Sequence, residues 1–352
     1  MEFHDDSPVR LNAVRRIDLD YVEKSSDPTK PKADKYGFTA GVTKTVAESS
    51  LPVDVLRERE QKWIKMIRNW DTWMNKKYPK LKERCRKGIP PAMRGMAWKQ
   101  LCGADKLRDD NPGLFGSLIS QSSEWEHVIV KDLDRTFPFH DMFSKPGSGQ
   151  EDLHLVLKAY SLYDTEVGYC QAMAPVSAVL LMHMTMEDAF WCLVSLLKNY
   201  VKGYYGEKLE AVRLEGEIFK GLLSKVLPSI SKHMEKHHID PLMYMTEWFM
   251  CLFSRNLPFS SVLRIWDMFF CEGVKVLFRT ALTILKLTLT SDVLKECDGM
   301  FETNDKLRNL PLELMQEDTF IPAILDLELS VKQIEKEHKS RAEQETKAIT
   351  VR

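Results

Sequence analysis

The sequence predicts an all-α protein, and two observations support this fold class. From Glu151 onward the apolar residues recur at spacings of three and four, as on one face of a helix, with almost no strand-like alternation. No internal repeat of fixed period is present, which argues against a regular solenoid. With 352 residues and a hydrophobic share of 44%, the chain can form a substantial core in one large domain or two ordinary ones.

The first part of the chain divides into two segments of different composition. Residues 1–52 are rich in Ser, Asp, Lys and Pro and have few large apolar side chains, so we expect disorder there. Residues 53–85 show one apolar stripe on a charged background, which predicts an amphipathic helix that packs on the following domain or, alternatively, a separate binding helix. The stripe consists of Trp63, Ile67, Trp70 and Met74.

A new helix is predicted after residue 86. Gly88 and the pair Pro90–Pro91 interrupt the preceding helix, because proline fits the first turn of a helix but not its interior. Arg94 and Trp98 are four residues apart, so they lie on one face of the new helix. We interpret this pair as structural, with the aliphatic stem of Arg94 lying along apolar surface.

Asp132 and Arg135 form the first candidate functional pair. They are three residues apart, so on a helix the carboxylate can hold the guanidinium in one orientation. Pro138 and a Gly- and Ser-rich stretch follow, which is typical of a loop that meets a partner. By itself, this spacing is also typical of a solvated surface ion pair.

The second candidate stretch runs from Val167 to Gln171. Gly168 frees the backbone shortly before Gln171, whose side chain could then be presented to a partner. A satisfied glutamine at the start of a helix is the alternative interpretation.

Helical stripes continue through the rest of the chain. Thr185 precedes one of them, with Asp188 three residues later, in a capping-box pattern. We interpret the stripes as core rather than as a cofactor site. Residues 331–352 are dominated by Lys, Glu, Arg and Gln and predict a solvated helix that frays into a charged tail. The stripe positions include Leu153, Val156, Phe190, Leu193, Phe219, Leu222, Trp248, Phe249, Ile265 and Trp266.

Composition argues against several classes of function. The net charge of −1 provides no concentrated basic surface for nucleic acid. The seven cysteines are widely spaced and contain no Cys-x-x-Cys pair, which is typical of reduced core residues. We see no signal sequence and no apolar run of roughly 20 residues, so we expect a cytoplasmic protein without a transmembrane segment.

Other candidate sites are weaker. His233, His237 and His238 have helical spacing, but without a third ligand at a suitable position we favour a surface histidine cluster over a metal site. The loop near Gly147 lacks the Lys-Ser or Lys-Thr ending of a phosphate-binding loop. No Ser or Cys nucleophile has an identifiable base, so a small-molecule enzyme has little support.

Taken together, these motifs resemble the TBC domain of Rab GTPase-activating proteins. The similarity extends over roughly residues 86–289, and the domain it implies covers residues 86–330 as two packed helical subdomains. The stretch from Gly168 to Ala172 and the run Leu180–His183 are similar to the carabin-like branch. The motifs are Gly88-Ile89-Pro90 with Arg94 and Trp98, Ile129-x-x-Asp132-x-x-Arg135-Thr136-Phe137-Pro138, Gly168-Tyr169-Cys170-Gln171, and Arg264-Ile265-Trp266-Asp267.

The resemblance implies a two-finger mechanism acting on a GTP-bound Rab-family GTPase. Arg135 would be an arginine finger oriented by Asp132, and Gln171 would be a glutamine finger that orients the attacking water. GTP and Mg²⁺ would be carried by the partner, and the chain would hold no cofactor or metal of its own. Tyr169 and Thr136 would contact the partner, whereas the structural motif would comprise Arg94, Trp98 and Gly168. Peripheral recruitment to membranes through the Rab, and a role in vesicle trafficking, would follow.

One departure from the family pattern keeps a second hypothesis open. The residues after Gln171 are Ala172, Met173 and Ala174, where the family usually has Gly-Met-Asn. A catalytically silent scaffold that binds a Rab without stimulating it is therefore the alternative to the activator.

Overall fold

The structure is a computed structural model that describes residues 33–39, 51–206 and 208–350. Within these ranges the regular secondary structure is helical, apart from two isolated β-bridges, so the all-α prediction is confirmed. No helix in the described part is both long and apolar enough to cross a membrane.

The helices are numbered here in chain order. A 3₁₀ turn at Pro91–Met93 precedes α4, and a π-helical turn at Leu196–Tyr200 follows α10. The bounds are α1 Val53–Ile67, α2 Trp70–Lys76, α3 Tyr78–Lys87, α4 Arg94–Cys102, α5 Ala104–Asp109, α6 Leu114–Ile119, α7 Glu126–Leu133, α8 Ser148–Tyr163, α9 Met173–Leu181, α10 Met186–Ser195, α11 Glu210–Val226, α12 Pro228–Lys236, α13 Leu242–Met250, α14 Phe259–Glu272, α15 Lys275–Thr288, α16 Ser291–Glu296, α17 Met300–Arg308, α18 Glu317–Leu325 and α19 Val331–Thr350.

The segment predicted as one amphipathic helix over residues 53–85 is divided into α1, α2 and α3. The first break is at Asn69, whose backbone leaves the helical region at φ −128° and ψ 41°. The second is at Lys77, because Pro79 is tolerated only in the first turn of the helix that follows. The apolar stripe therefore belongs to separate helices, of which α1 buries Trp63 and Met66.

These three helices are part of the main body rather than a separate binding element. Helix α3 packs on α14. The Tyr78 hydroxyl donates to the Cys271 carbonyl oxygen at 2.6 Å, and Arg86 Nε lies 2.6 Å from Oε1 of the buried Glu272 carboxylate. The predicted packing on the following domain is thus observed.

The body has two groups of helices that share one continuous hydrophobic core. In the first group α10 packs against α5 and α8, and α9 packs against both α8 and α10. In the second group α14 packs against α15 and α18, and it also contacts α3 and α4. The N-cap of α10 is present, since Thr185 Oγ1 accepts a hydrogen bond from the Asp188 amide at 3.5 Å. The Asp188 carboxylate accepts from Lys99 and Arg108 instead of completing the predicted capping box.

The C-terminal helix α19 has mostly exposed side chains as far as Arg341, but it also packs on the body. Its first half packs on α11. Glu337 is buried and accepts a hydrogen bond from Lys225. Gly221 makes room for it, because a Cβ there would lie 2.3 Å from Glu337 Oε2. Composition alone cannot reveal this contact, because Glu337 pairs with Lys225 on α11, which is distant in the sequence.

The predicted disorder of residues 1–52 falls mostly outside the described residues. Residues 33–39 are described, and they lie against the helical body; residues 51 and 52 are also described and directly precede α1. The Thr39 amide donates to the Phe139 carbonyl oxygen at 2.9 Å, and the Asp141 amide donates to the Gly37 carbonyl oxygen at 2.8 Å.

Candidate functional site

The predicted finger pair lies at the C-terminal end of α7. Asp132 is in the last turn, whereas Arg135 comes two residues after the helix ends at Leu133. The sequence predicted that both would share a helical face, but the ion pair forms across the end of the helix, with Arg135 Nη2 donating to Asp132 Oδ1. The Arg135 side chain is 55% exposed and that of Asp132 only 2%. A buried acid therefore holds an accessible guanidinium.

Asp132 is itself held from two sides. Its Oδ2 accepts a hydrogen bond from the Tyr169 hydroxyl at 2.6 Å, and its backbone carbonyl accepts one from Thr136 Oγ1, also at 2.6 Å. Burial, followed by the hydrogen bond to Asp132 and its charge, raises the pKa of Tyr169, so this hydroxyl stays protonated and remains a donor. The two carboxylate oxygens of Asp132 thus serve different partners.

These contacts give Tyr169 and Thr136, which were predicted to bind the partner, a role within the chain itself. Both residues are buried, and both hydroxyls bond to Asp132. Thr136 lines the groove described below, but its hydroxyl points inward to the chain. Their observed contacts are those of positioning residues, a role that the sequence could not distinguish from partner contact.

Gly168 is required by its conformation and by its surroundings. Its φ is 62°, in the left-handed region that favours glycine, and a Cβ there would lie 2.6 Å from the Trp125 ring. Trp125 directly precedes α7, so this contact ties the Gly168 turn to the helix that ends at the finger pair. Trp125 was not singled out from the sequence, although it is an aromatic residue immediately before α7, the helix that carries Asp132.

Gln171 is exposed shortly before α9 begins at Met173. Its side chain has no hydrogen-bond partner in the part of the chain that the structure describes, while its backbone carbonyl accepts from the Ala174 amide at 3.2 Å. Ala174 is fully buried, so its side chain packs in the core and leaves no polar group at the surface. At Ala174, the departure from the Gly-Met-Asn pattern therefore places an apolar side chain in the core.

Arg135 and Gln171 line the same groove, which has a volume of about 860 Å³. Apolar side chains flank the two polar ones, and two of them are largely accessible: Phe139 is 50% exposed and Leu312 is 48% exposed. The shape suits a large, partly apolar surface that brings a polar reacting group to the centre. Four stretches contribute most of the lining, namely residues within 34–38, 135–139, 254–260 and 310–316.

A protein-family model of the Rab-GTPase-TBC domain matches residues 91–291. The match spans more than half of the chain and includes α7, the Gly168 turn and Gln171. The chain belongs to the Rab-GTPase-TBC family.

Curated relatives agree with this family and with the predicted carabin-like branch. Mouse TBC1 domain family member 10A is 53% identical over 87% of this chain, which spans 62% of that relative. Human TBC1 domain family member 10B is 51% identical, and the chain spans 39% of its length. Mouse Carabin is 44% identical over 90% of this chain and 72% of its own length. The chain therefore spans only part of several TBC relatives.

Solved TBC structures share the fold. The TBC domain of a Chlamydomonas flagellar RabGAP superimposes with a TM-score of 0.66 at 29% identity, covering 84% of this chain and 100% of that one. The Ypt/Rab-GAP domain of Gyp1p gives a TM-score of 0.58 at 19% identity, covering 75% of this chain and 97% of that one.

The predicted structural pair of the TBC motif is a buried ion-pair centre. Arg94 Nε donates to Asp267 Oδ1 at 3.2 Å, and Trp98 Nε1 donates to the same oxygen at 3.0 Å. The Ile89 amide donates to Asp267 Oδ2 at 2.8 Å. Arg94 and Trp98, which were predicted as a structural pair, therefore share one buried carboxylate. Asp267 belongs to a motif noted from the sequence, but it was not recognised there as their partner.

The histidine cluster of the TBC domain has internal contacts. The His233 and His237 rings lie 4.5 Å apart, and His233 Nε2 is 2.8 Å from Thr303 Oγ1. Among the described residues, no group of three His, Cys, Asp or Glu side chains is arranged to hold a metal ion.

Proposed function

We propose that this chain is a GTPase-activating protein that accelerates GTP hydrolysis by a Rab-family GTPase, supplying Arg135 and Gln171 in trans. The observation that supports this most directly is the arrangement of one groove lined by both side chains, with Arg135 accessible yet paired to a buried carboxylate. GTP and Mg²⁺ would belong to the partner. Cytoplasmic location, peripheral recruitment to membranes through the Rab and a role in vesicle trafficking are parts of the same proposal.

The arginine has a clear chemical task. A GTPase alone is slow, since negative charge develops on the transferred phosphoryl group and the attacking water is poorly positioned. A guanidinium in the partner's active site would stabilise that charge, an effect of roughly 10³ to 10⁵ in rate, or about 4 to 7 kcal/mol. A solvated ion pair on a protein surface is worth about 1 kcal/mol or less, so measured rates separate the two interpretations.

The glutamine would position water. The Gln171 carboxamide can accept a hydrogen bond from the attacking water and donate one to a phosphate oxygen. A side chain without a partner in the described part of the chain can turn toward a ligand without breaking an internal bond. In many GTPases the equivalent task belongs to a glutamine of the GTPase itself.

Asp132 would prepare the arginine for insertion. A free arginine side chain loses conformational entropy when it is fixed in an active site, whereas one already held by a buried carboxylate loses less. The hydrogen bond from Tyr169 keeps that carboxylate in place. Preorganisation is thus provided by the chain before the partner binds.

The test is single-turnover GTP hydrolysis with a panel of GTP-loaded Rab proteins. We expect acceleration of at least one Rab by the wild type and loss of most of it in Arg135→Lys, which keeps the charge but not the planar fork. Arg108→Lys is the matched control, because Arg108 is another surface arginine paired with acids, Asp105 and Asp188 among them. An Arg135→Lys variant as active as Arg108→Lys would refute the finger role.

The glutamine has its own test. If Gln171 takes over the positioning of water, a Rab whose own catalytic glutamine is replaced should still respond to the wild type, and Gln171→Ala should abolish that response. Thermal melting checks that the variant remains folded. Complete insensitivity of the glutamine-deficient Rab would contradict the assignment, and binding of GTP-loaded Rab without faster hydrolysis would favour the scaffold.

A further inference from the structure

We infer that residues 33–39, here named the N-terminal strap, are a positioning element for the turn that carries Arg135. The turn comprises residues 134–141 and is here named the finger turn. This inference rests on the proposed function for its kinetic consequence, although the contacts themselves are independent of it. The strap lies outside the residues matched by the family model, which begin at residue 91.

Backbone hydrogen bonds join the strap to the finger turn. The Thr39 amide donates to the Phe139 carbonyl oxygen at 2.9 Å, and the Thr39 hydroxyl donates to the same oxygen at 3.1 Å. In the opposite direction, the Asp141 amide donates to the Gly37 carbonyl oxygen at 2.8 Å. Phe38 and His140 form an isolated antiparallel β-bridge. The strap thus pairs with the finger turn as a very short strand would.

Aromatic packing connects the strap to two parts of the groove. The Phe38 ring lies 5.9 Å from Phe137 and 4.9 Å from His140, both in the finger turn, in edge-to-face arrangements. It also lies 5.0 Å from Phe259, the first residue of α14. Phe38 therefore contacts both the finger turn and the start of α14, where Phe259 lines the groove.

The finger turn needs such support because its backbone is unfavourable locally. Phe137, two residues after Arg135, has a φ of 47°, which is uncommon for a residue with a Cβ. Conformations of this kind persist when surrounding contacts fix them. Gln150 of α8 holds one side of the turn, donating to Asp134 Oδ1 at 3.3 Å and to the Phe143 carbonyl oxygen at 2.9 Å. The strap holds the other side.

His140 links the strap to the turn through a defined tautomer. Its Nδ1 accepts a hydrogen bond from the Met142 amide at 3.1 Å, so in the neutral ring the proton must be on Nε2. Nε2 then donates to the Tyr36 carbonyl oxygen at 2.8 Å. Burial lowers the pKa of His140, which favours this neutral form. The ring is pressed against the strap, since a Cβ on Gly37 would lie 2.7 Å from Nε2.

Two variants of the full chain disturb this contact at residues that do not themselves line the groove. Gly37→Ala places a methyl group against the His140 ring. Gly113→Ala is its matched control, because Gly113 has a similar φ of 76° but open space around its Cβ. His140→Asn keeps an acceptor near the Met142 amide and loses the bond to Tyr36, whereas the longer His140→Gln can reach Tyr36 and serves as the conservative rescue.

The measurements are kcat and KM for GTP hydrolysis by a responsive Rab, and hydrogen exchange at the amides of Thr39 and Asp141. For Gly37→Ala and His140→Asn we expect faster exchange at both amides and a kcat lower by about 10- to 100-fold, with KM little changed, since misplacement of a catalytic group by about 1 Å has such effects. Gly113→Ala should alter neither quantity, and His140→Gln should recover most of kcat.

Each contrary outcome has a distinct meaning. Faster exchange with unchanged kcat would refute the positioning role, and a higher KM at constant kcat would make the strap a docking wall instead. Unchanged exchange in Gly37→Ala would show that the contacts do not hold in solution and would also overturn the inference. If the wild type accelerated no Rab and Arg135→Lys were indistinguishable from it, the proposed function would fail, whereas an active wild type with unaffected strap variants would refute the strap alone.

Discussion

The chain contains two arginine–aspartate pairs that use the same chemistry in opposite surroundings. In the Arg94–Asp267 pair both side chains are buried, with exposed fractions of 7% and 0%. In the Arg135–Asp132 pair the acid is equally buried, at 2%, but the arginine is 55% exposed. The aspartate carboxylate is buried in each pair, whereas the accessibility of the arginine differs. Accessibility of the guanidinium therefore distinguishes a candidate catalytic group from a structural one.

The partners of the two carboxylates explain this difference. Asp267 receives hydrogen bonds from Arg94, Trp98 and the Ile89 amide, all of them buried. Burial raises its pKa despite the opposing effect of Arg94, because removal from water favours the neutral carboxyl. Asp132 instead uses one oxygen for Tyr169 and offers the other to a side chain that reaches into the groove.

Removal of Asp267 is expected to have the largest effect on stability. Asp267→Ala leaves the Arg94 guanidinium buried without its counter-ion and should lower the free energy of unfolding by about 3–5 kcal/mol. Urea denaturation followed by tryptophan fluorescence measures this. Arg135→Ala is the comparison: it removes the counter-ion of the buried Asp132, which keeps its hydrogen bond from Tyr169, and should lower the same quantity by about 1–2 kcal/mol. Equal losses in the two variants would break the distinction.

Removal of the charge on Asp132 should affect activity more than folding. Asp132→Asn keeps an acceptor for the Tyr169 hydroxyl and loses the ionic partner of Arg135. We expect kcat/KM for Rab-stimulated GTP hydrolysis to fall by about 10- to 100-fold, since the finger is no longer held in one orientation. The melting temperature should stay close to that of the wild type. A variant with wild-type kcat/KM would show that Arg135 needs no pairing.

The fold was predictable where local pattern decides it. The helical stripes, the N-cap at Thr185 and the all-α class follow from local spacing, because apolar periodicity reports directly on the buried face of a helix. Composition was insufficient where tertiary contacts hold a polar or charged segment against the body. The polar segment containing Tyr36 and Phe38 lies on the body through aromatic contacts with Phe137 and Phe259, and charged α19 is held by a buried Glu337.

The candidate site was predictable as a set of residues but not as a geometry. Motif spacing pointed to Asp132, Arg135, Gly168 and Gln171 as candidates, and the structure brings Arg135 and Gln171 to one groove. The sequence could not reveal that the Tyr169 hydroxyl would face Asp132, since that contact joins residues 37 positions apart. Asp267, which is 173 residues from Arg94, was missed as a partner for the same reason.

Loss of the Tyr169 hydroxyl should have a smaller effect than loss of the Asp132 charge. Tyr169→Phe leaves Asp132 Oδ2 without its donor and should lower the free energy of unfolding by about 1–2 kcal/mol. It should also reduce kcat/KM by a few fold through a less rigid carboxylate. The double variant with Asp132→Asn tests coupling. If Tyr169 acts through Asp132, the two kinetic effects will be less than additive, and full additivity would indicate an independent role.

A separate expected effect concerns acid pH and the surroundings of the buried Arg94–Asp267 pair. The His183 ring packs edge-on against Trp98 at 4.9 Å, and burial, with a further contribution from Arg94, lowers its pKa to about 3. The unfolded chain binds a proton on this histidine below its ordinary pKa of 6.5, whereas the folded chain does not until about pH 3. Stability from this residue is therefore complete above pH 6.5 and is lost as the pH falls toward 3, by about 1.4 kcal/mol per pH unit.

Urea denaturation between pH 7 and pH 4.5 measures this loss. His183→Gln removes the titrating group, so its stability should depend less steeply on pH than that of the wild type. His127→Gln, at an exposed histidine on α7, is the matched control and should retain the wild-type slope. Parallel slopes in the wild type and His183→Gln would mean that acid sensitivity arises elsewhere. The surroundings of the buried Arg94–Asp267 pair would then add no acid sensitivity that the finger pair lacks.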